Sequence, residues 1–181
     1  MEYYKKNYKP KHKKRYTRDD HAHYCCRNEE YDHHQEKKIS RTVADFDYFN
    51  QAGSVVLNSL TTAPSVEEII GTLRFEEVFN GDLIHLRGSS TVTAGATLPS
   101  TITFRIHKVR KLQHNPLLSP TIYTRTVSVT ANTAFAVTLE FVDVLINDEA
   151  EVNYYYTVSI PAGVTATATV SNSTHTGALH R

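Results

Sequence analysis

Val152-Asn153-Tyr154-Tyr155-Tyr156-Thr157-Val158-Ser159-Ile160, then Pro161-Ala162-Gly163, then Val164-Thr165-Ala166-Thr167-Ala168-Thr169-Val170, is the stretch on which the fold turns. In the first run Val152, Tyr154, Tyr156, Val158 and Ile160 fall on one side, with Asn153, Tyr155, Thr157 and Ser159 on the other. In the second, Val164, Ala166, Ala168 and Val170 alternate with Thr165, Thr167 and Thr169. Alternation at a period of two marks strands with one buried face. The Pro-Ala-Gly triplet supplies the turn between them.

The same pattern spreads upstream. Residues 101–109 set Ile102, Phe104 and Ile106 against Thr103, Arg105 and His107. Asn80-Gly81-Asp82 is a turn leading into a strand over 83–93, and residues 54–60, 121–129 and 135–146 read as further strands. The last changes phase: Phe135, Val137, Leu139 and Phe141 share one face, and Val142, Val144 and Ile146 the other. A bulge near Phe141 would re-aim its second half; alternatively, a second subunit buries the other face. Residues 63–79 are ambiguous. Ser65 with Glu68 has capping-box spacing, and Val66, Ile69, Ile70 and Leu73 recur at helical spacing. The reading is a short helix or turn from Ser65, then a strand ending near Phe79. About eight strands with regular turns predict an all-β fold, an antiparallel eight-stranded β-sandwich of jelly-roll type.

Composition divides the 181 residues in two. Residues 40–181 carry 21 Thr, 16 Val and all seven Gly, which suits a sheet domain. Residues 1–39 hold eleven of the 20 Lys and Arg, six of the eleven Tyr and both Cys, with no Leu, Val or Phe. Such a segment cannot bury enough apolar surface to offset its ordering entropy, so a disordered basic N-terminal tail is expected. Residues 1–18 hold eight Lys and Arg against Glu2, a charge of +7. No run is apolar enough for a transmembrane helix, so no membrane partner is expected. The basic start lacks the apolar stretch of a secretory signal, so Sec-type export is not expected either.

Catalytic motifs are absent: no G-x-S-x-G, H-E-x-x-H, P-loop or G-x-G-x-x-G occurs. The expectation is no enzyme, no catalytic residues and no cofactor. His85, His107, His114, His175 and His180 are scattered and read as solvated surface histidines. Asn147-Asp148-Glu149 with Glu151 lacks EF-hand spacing and reads as a hairpin turn. In the tail, His21, His23, Cys25 and Cys26 are metal-capable, but adjacent Cys and H-x-H depart from the spaced pairs of structural zinc sites. Disulfide bonding is the better use. Neighbouring Cα atoms lie about 3.8 Å apart, short of the usual 4.4–6.8 Å of a disulfide. Cys25 and Cys26 are therefore expected to form intersubunit disulfides.

Met1-Glu2-Tyr3-Tyr4-Lys5-Lys6-Asn7-Tyr8-Lys9 resembles the start of the small Tyr/Lys-rich coat proteins of bacterial endospores. The resemblance implies assembly from the mother-cell cytoplasm without a signal peptide, and a cross-linking or docking role for Tyr3, Tyr4, Lys5, Lys6, Tyr8 and Lys9. Residues 125–146, Arg-Thr-Val-Ser-Val-Thr-Ala-Asn-Thr-Ala-Phe-Ala-Val-Thr-Leu-Glu-Phe-Val-Asp-Val-Leu-Ile, are similar to paired late strands of endospore-appendage subunits. Those are jelly rolls whose flexible connector bears a Cys-Cys pair, which here would be Cys25 and Cys26. Appendage subunits carry further Cys in the jelly roll; this domain has none.

The expectation is a self-assembling structural subunit of a spore surface layer or appendage, in two parts: a tail or connector over 1–39 and a jelly-roll domain over 40–181. Its partners would be its own copies, as a homo-oligomer or polymer, and other spore-surface proteins. The alternative is a viral capsid-type jelly roll whose basic arm binds nucleic acid by counterion release. Its Lys-rich run is followed by an acidic stretch that would repel phosphates. A tumour-necrosis-factor-like trimeric module is a third reading on fold class alone.

Overall fold

A computed structural model describes residues 41–59, 67–95, 101–110, 115–130, 133–162 and 166–181. Alternating side chains build nine strands among them: β1 (Val43–Asn50), β2 (Val55–Ser59), β3 (Glu67–Val78), β4 (Leu83–Ala94), β5 (Thr101–Arg110), β6 (Thr121–Ser128), β7 (Ala134–Val144), β8 (Glu149–Ser159) and β9 (Ala166–His180). A 3₁₀ turn at Pro116–Leu118 precedes β6, capped by the Asn115 side chain, which accepts from the Leu117 amide.

Two antiparallel sheets result, β1-β9-β4-β7 and β3-β8-β5-β6, with β2 also paired to β9. β1 runs along Thr174 to His180 of β9, and β2 along Ala166 to Val170. They are two halves of one edge strand, broken at residues 51–54. Counted so, the sandwich has the expected eight strands in jelly-roll order. Phe75, Phe104, Tyr154, Tyr156, Leu73, Ile84 and Leu86 fill the space between the sheets, fully buried. Phe75 meets Tyr154 edge-on at 6.1 Å. Burying each such side chain stabilises the fold by roughly 1.5–3 kcal/mol.

Two expectations need correction. The helical spacing of Ile69, Ile70 and Leu73 does not make a helix: all three lie in β3, paired to β8 around a register shift between Ile69 and Gly71. That shift displaces the apolar row by one residue, which imitates a period of 3.6. Ser65, the proposed cap, lies outside the described residues. Second, β7 has no bulge. Its pairing with β4 is continuous from Ala134↔Thr93 to Val144↔Leu83. The inward row does not change side: it runs from Phe135 through Phe141 to buried Leu145, interrupted only by Asp143, which accepts 2.7 Å contacts from the Tyr154 hydroxyl and Lys108 Nζ. Val142, Val144 and Ile146 are left exposed. Thr157 and Ser159 do lie on the outer face of the β3-β8-β5-β6 sheet, as read, and are buried there.

Candidate functional site

Antiparallel partners point to the same side of a sheet, so the register writes the outer face of the β1-β9-β4-β7 sheet in rows. Val144, Leu83 and His180 form one row. Val142, His85, Ala178 and Phe46 form the next, followed by Glu140, Arg87, Thr176 and Tyr48. Phe46 is 59% exposed, Tyr48 54% and Val144 54%. The two rings alone leave on the order of 200 Å² of aromatic surface in water. Val142 and Val144 add exposed apolar surface at the opposite edge of the same face, with His85, Arg87, Ala178 and Thr176 between. Its charged members cancel: Arg87 Nη2 bonds Glu140 Oε1 at 2.9 Å. The His85 and His180 rings lie side by side, centroids 4.8 Å apart. A hollow of about 230 Å³ opens among Phe46, Ala178 and these two rings.

The opposite sheet carries a polar cluster on its outer face. Glu67 accepts from His107 Nε2 at 3.0 Å and from the Thr157 hydroxyl, while Arg105 Nη1 stands 3.3 Å away and also donates to the Ser159 hydroxyl. His107 Nδ1 faces the Ser119 carbonyl at 3.1 Å. Burial would raise the Glu67 pKa; hydrogen bonds from Thr157 and His107 and the charge of Arg105 outweigh it and hold the carboxyl below its ordinary value. Every group in the cluster faces a partner, as expected of polar groups that cover a sheet. His107, read from the sequence as a solvated histidine, is therefore buried.

His175 is the second correction of that kind. It projects from β9 between the sheets, fully buried. Its ring stacks 4.0 Å from the Tyr156 ring, with Phe49 at 6.1 Å. Neither ring nitrogen has a hydrogen bond of good geometry. Burial lowers its pKa from 6.5 to about 4, and the Ile70 backbone works weakly the other way.

The site residues proposed from sequence, Tyr3, Tyr4, Lys5, Lys6, Tyr8, Lys9, His21, His23, Cys25 and Cys26, lie outside the described residues. Among the described residues no three His, Cys, Asp or Glu gather as metal ligands. None of their helices is long and apolar enough to cross a membrane. Asp148 and Glu149 are engaged by the Asn80 amide and by Arg110, in keeping with a turn. The outer apolar face itself was half legible: Val142 and Val144 were visible as an out-of-phase row, whereas Phe46 and Tyr48 sit on β1, a strand the sequence reading missed.

No family model matches the chain, and no curated protein does. Among solved structures it is similar to Eiger, a tumour necrosis factor from S. frugiperda, at 10% identity and a TM-score of 0.44, covering 74% of this chain and 90% of that one. A CBM4 structure matches at 16% identity and a TM-score of 0.37, covering 74% and 75%. A structure of infectious bursal disease virus, Gx strain, matches at 10% identity and a TM-score of 0.40, covering 77% of this chain and 37% of that one.

Proposed function

We propose that this protein is a non-enzymatic, self-assembling structural subunit of a spore surface layer or appendage. Its copies dock through the outer face of the β1-β9-β4-β7 sheet, and its N-terminal segment links neighbours. The exposed apolar residues of that face, Val142, Val144, Phe46 and Tyr48, carry the reading. The occupant is a second copy because the face is neutral: Arg87 and Glu140 are paired within it, so a like copy meets no net charge of its own sign. The spore assignment rests on the resemblance of residues 1–9 and 125–146.

The double variant Phe46→Glu with Val144→Glu tests the docking face. Sedimentation velocity should show concentration-dependent association of the wild type, weakened at least tenfold in the variant. A wild type that stays monomeric up to high concentration would overturn the reading. The tail makes a separate prediction. Fifteen extended residues reach roughly 50 Å, enough to touch a neighbour. Cys25→Ser with Cys26→Ser should leave the thermal midpoint of the domain nearly unchanged and remove reducible high-mass bands from a non-reducing gel. If the variant's assemblies resist denaturant as the wild type's do, the cysteines do not link subunits.

A further inference from the structure

We infer that His85 and His180 are one half of a divalent transition-metal site that a second copy of the chain completes. The inference rests on the docking face proposed above. His85 on β4 pairs with Ala178 of β9, and His180 of β9 pairs with Leu83 of β4, so the two histidines are diagonal neighbours on one face of adjacent strands. Two imidazoles that share a zinc ion, each at a Zn–N distance of 2.0–2.1 Å in a tetrahedron, have ring centroids about 5 Å apart. The observed separation is 4.8 Å, with the planes inclined at 55°. The rings thus stand at the spacing that one shared ion requires.

The surroundings favour this use. Phe46 and Ala178 wall the hollow beside the rings, so a bound ion would be shielded from water once the face is covered. Arg87 also lines the hollow, but its guanidinium is held by Glu140. Arg181, the neighbour of His180, turns away over the Phe79 ring and bonds Asp82. Both nearby cations are therefore neutralised. Among the described residues the two rings contact each other and have no hydrogen-bond partner, which leaves nitrogens for a ligand.

Two imidazoles are too few for zinc, which takes four ligands. A two-fold axis lying in the docked face and passing between His85 and His180 sets the same pair opposite itself, giving four imidazole nitrogens around one ion. Imidazole suits zinc, copper and nickel, and no carboxylate in the hollow would select a harder cation. Linkage then requires that the metal tighten association by the factor by which association tightens metal binding.

The test is sedimentation velocity of the full chain with EDTA or with one equivalent of zinc chloride, on the wild type and on the double variant His85→Gln with His180→Gln. The expected result is a dimer dissociation constant at least tenfold lower with zinc in the wild type, saturating at one ion per two chains, and unchanged in the variant. The tail histidines and cysteines are common to both proteins, so a zinc effect of equal size in both overturns the inference. Association of the wild type that ignores zinc overturns it as well and leaves the docking face standing. A chain that is monomeric under every condition removes both.

Discussion

A Gly71→Ala variant is expected to lose about 3 kcal/mol of stability, at the upper end of the cost of overpacking a close-packed core. A Cβ at this position would stand 2.1 Å from Cδ2 and 2.7 Å from Nε2 of His175. The ring cannot retreat, because a Cβ on Gly88 would likewise meet its Nδ1 at 2.7 Å, and the Tyr156 ring lies 4.0 Å away. Gly71 does not have a left-handed backbone, so the cost is one of space rather than strain. The two residues should therefore be coupled. In a His175→Ala background the same Gly71→Ala change should cost under about 1 kcal/mol, since contacting residues share their energetics. Urea denaturation of the four proteins of this cycle measures the coupling. Equal costs in both backgrounds would mean that the ring is not what fills the space.

Acid should destabilise the domain well before its carboxylates titrate. In the folded protein burial lowers the His175 pKa to about 4, against 6.5 when unfolded. Below pH 6.5 the unfolded chain therefore binds a proton that the folded chain resists, and stability falls as pH falls. The contribution is complete above about pH 6.5 and is lost progressively down to about pH 4, where it levels off. The total is about 3 kcal/mol. The groups packed on the ring are Phe49, Tyr156 and the glycines at 71 and 88, none of them a carboxylate that could hold an imidazolium. Glu67, whose carboxyl is held below its ordinary 4.5, adds a separate loss below that pH. A His175→Leu variant followed by urea midpoints from pH 7 to 4 should show a flattened dependence over this window. The same slope in variant and wild type would place the acid sensitivity elsewhere.

The strands that were legible in sequence are those whose inward residues are apolar. Val152 to Ile160 and Ile102 to Ile106 needed only the alternation of side chains. β9 was visible as far as Val170 and not beyond, because its inward residues there are Ser173, His175 and Gly177. A buried imidazole fills the volume that two glycines vacate, so the core is complete although the sequence there looks polar. β1 was missed for the opposite reason: its aromatic residues Phe46 and Tyr48 face water, while Asp47 turns to the Arg74 amide. A pattern read as buried against exposed does not register a strand whose aromatic residues face water. The apparent change of phase after Phe141 suggests a bulge or a second subunit; there is no bulge, and the inward row continues past Asp143 to buried Leu145. The interruption is a partnered carboxylate, visible only once Tyr154 and Lys108 are placed beside it.

The two ends of the folded domain are stitched together. Thr42 and Arg181 exchange both backbone hydrogen bonds at 3.1 Å, and Arg181 also reaches Asp82. Because β1 and β9 are antiparallel, the direction of a load decides how this seam responds. Tension that draws Thr42 and Arg181 apart opens the ladder one rung at a time, like a zipper, at low force. Tension along the axis of β1, against a domain held by its sheet face, loads all the rungs from Val43 to Asn50 at once and resists as a shear joint. The same seam is therefore stiff to load along β1 and weak to load that peels Thr42 from Arg181.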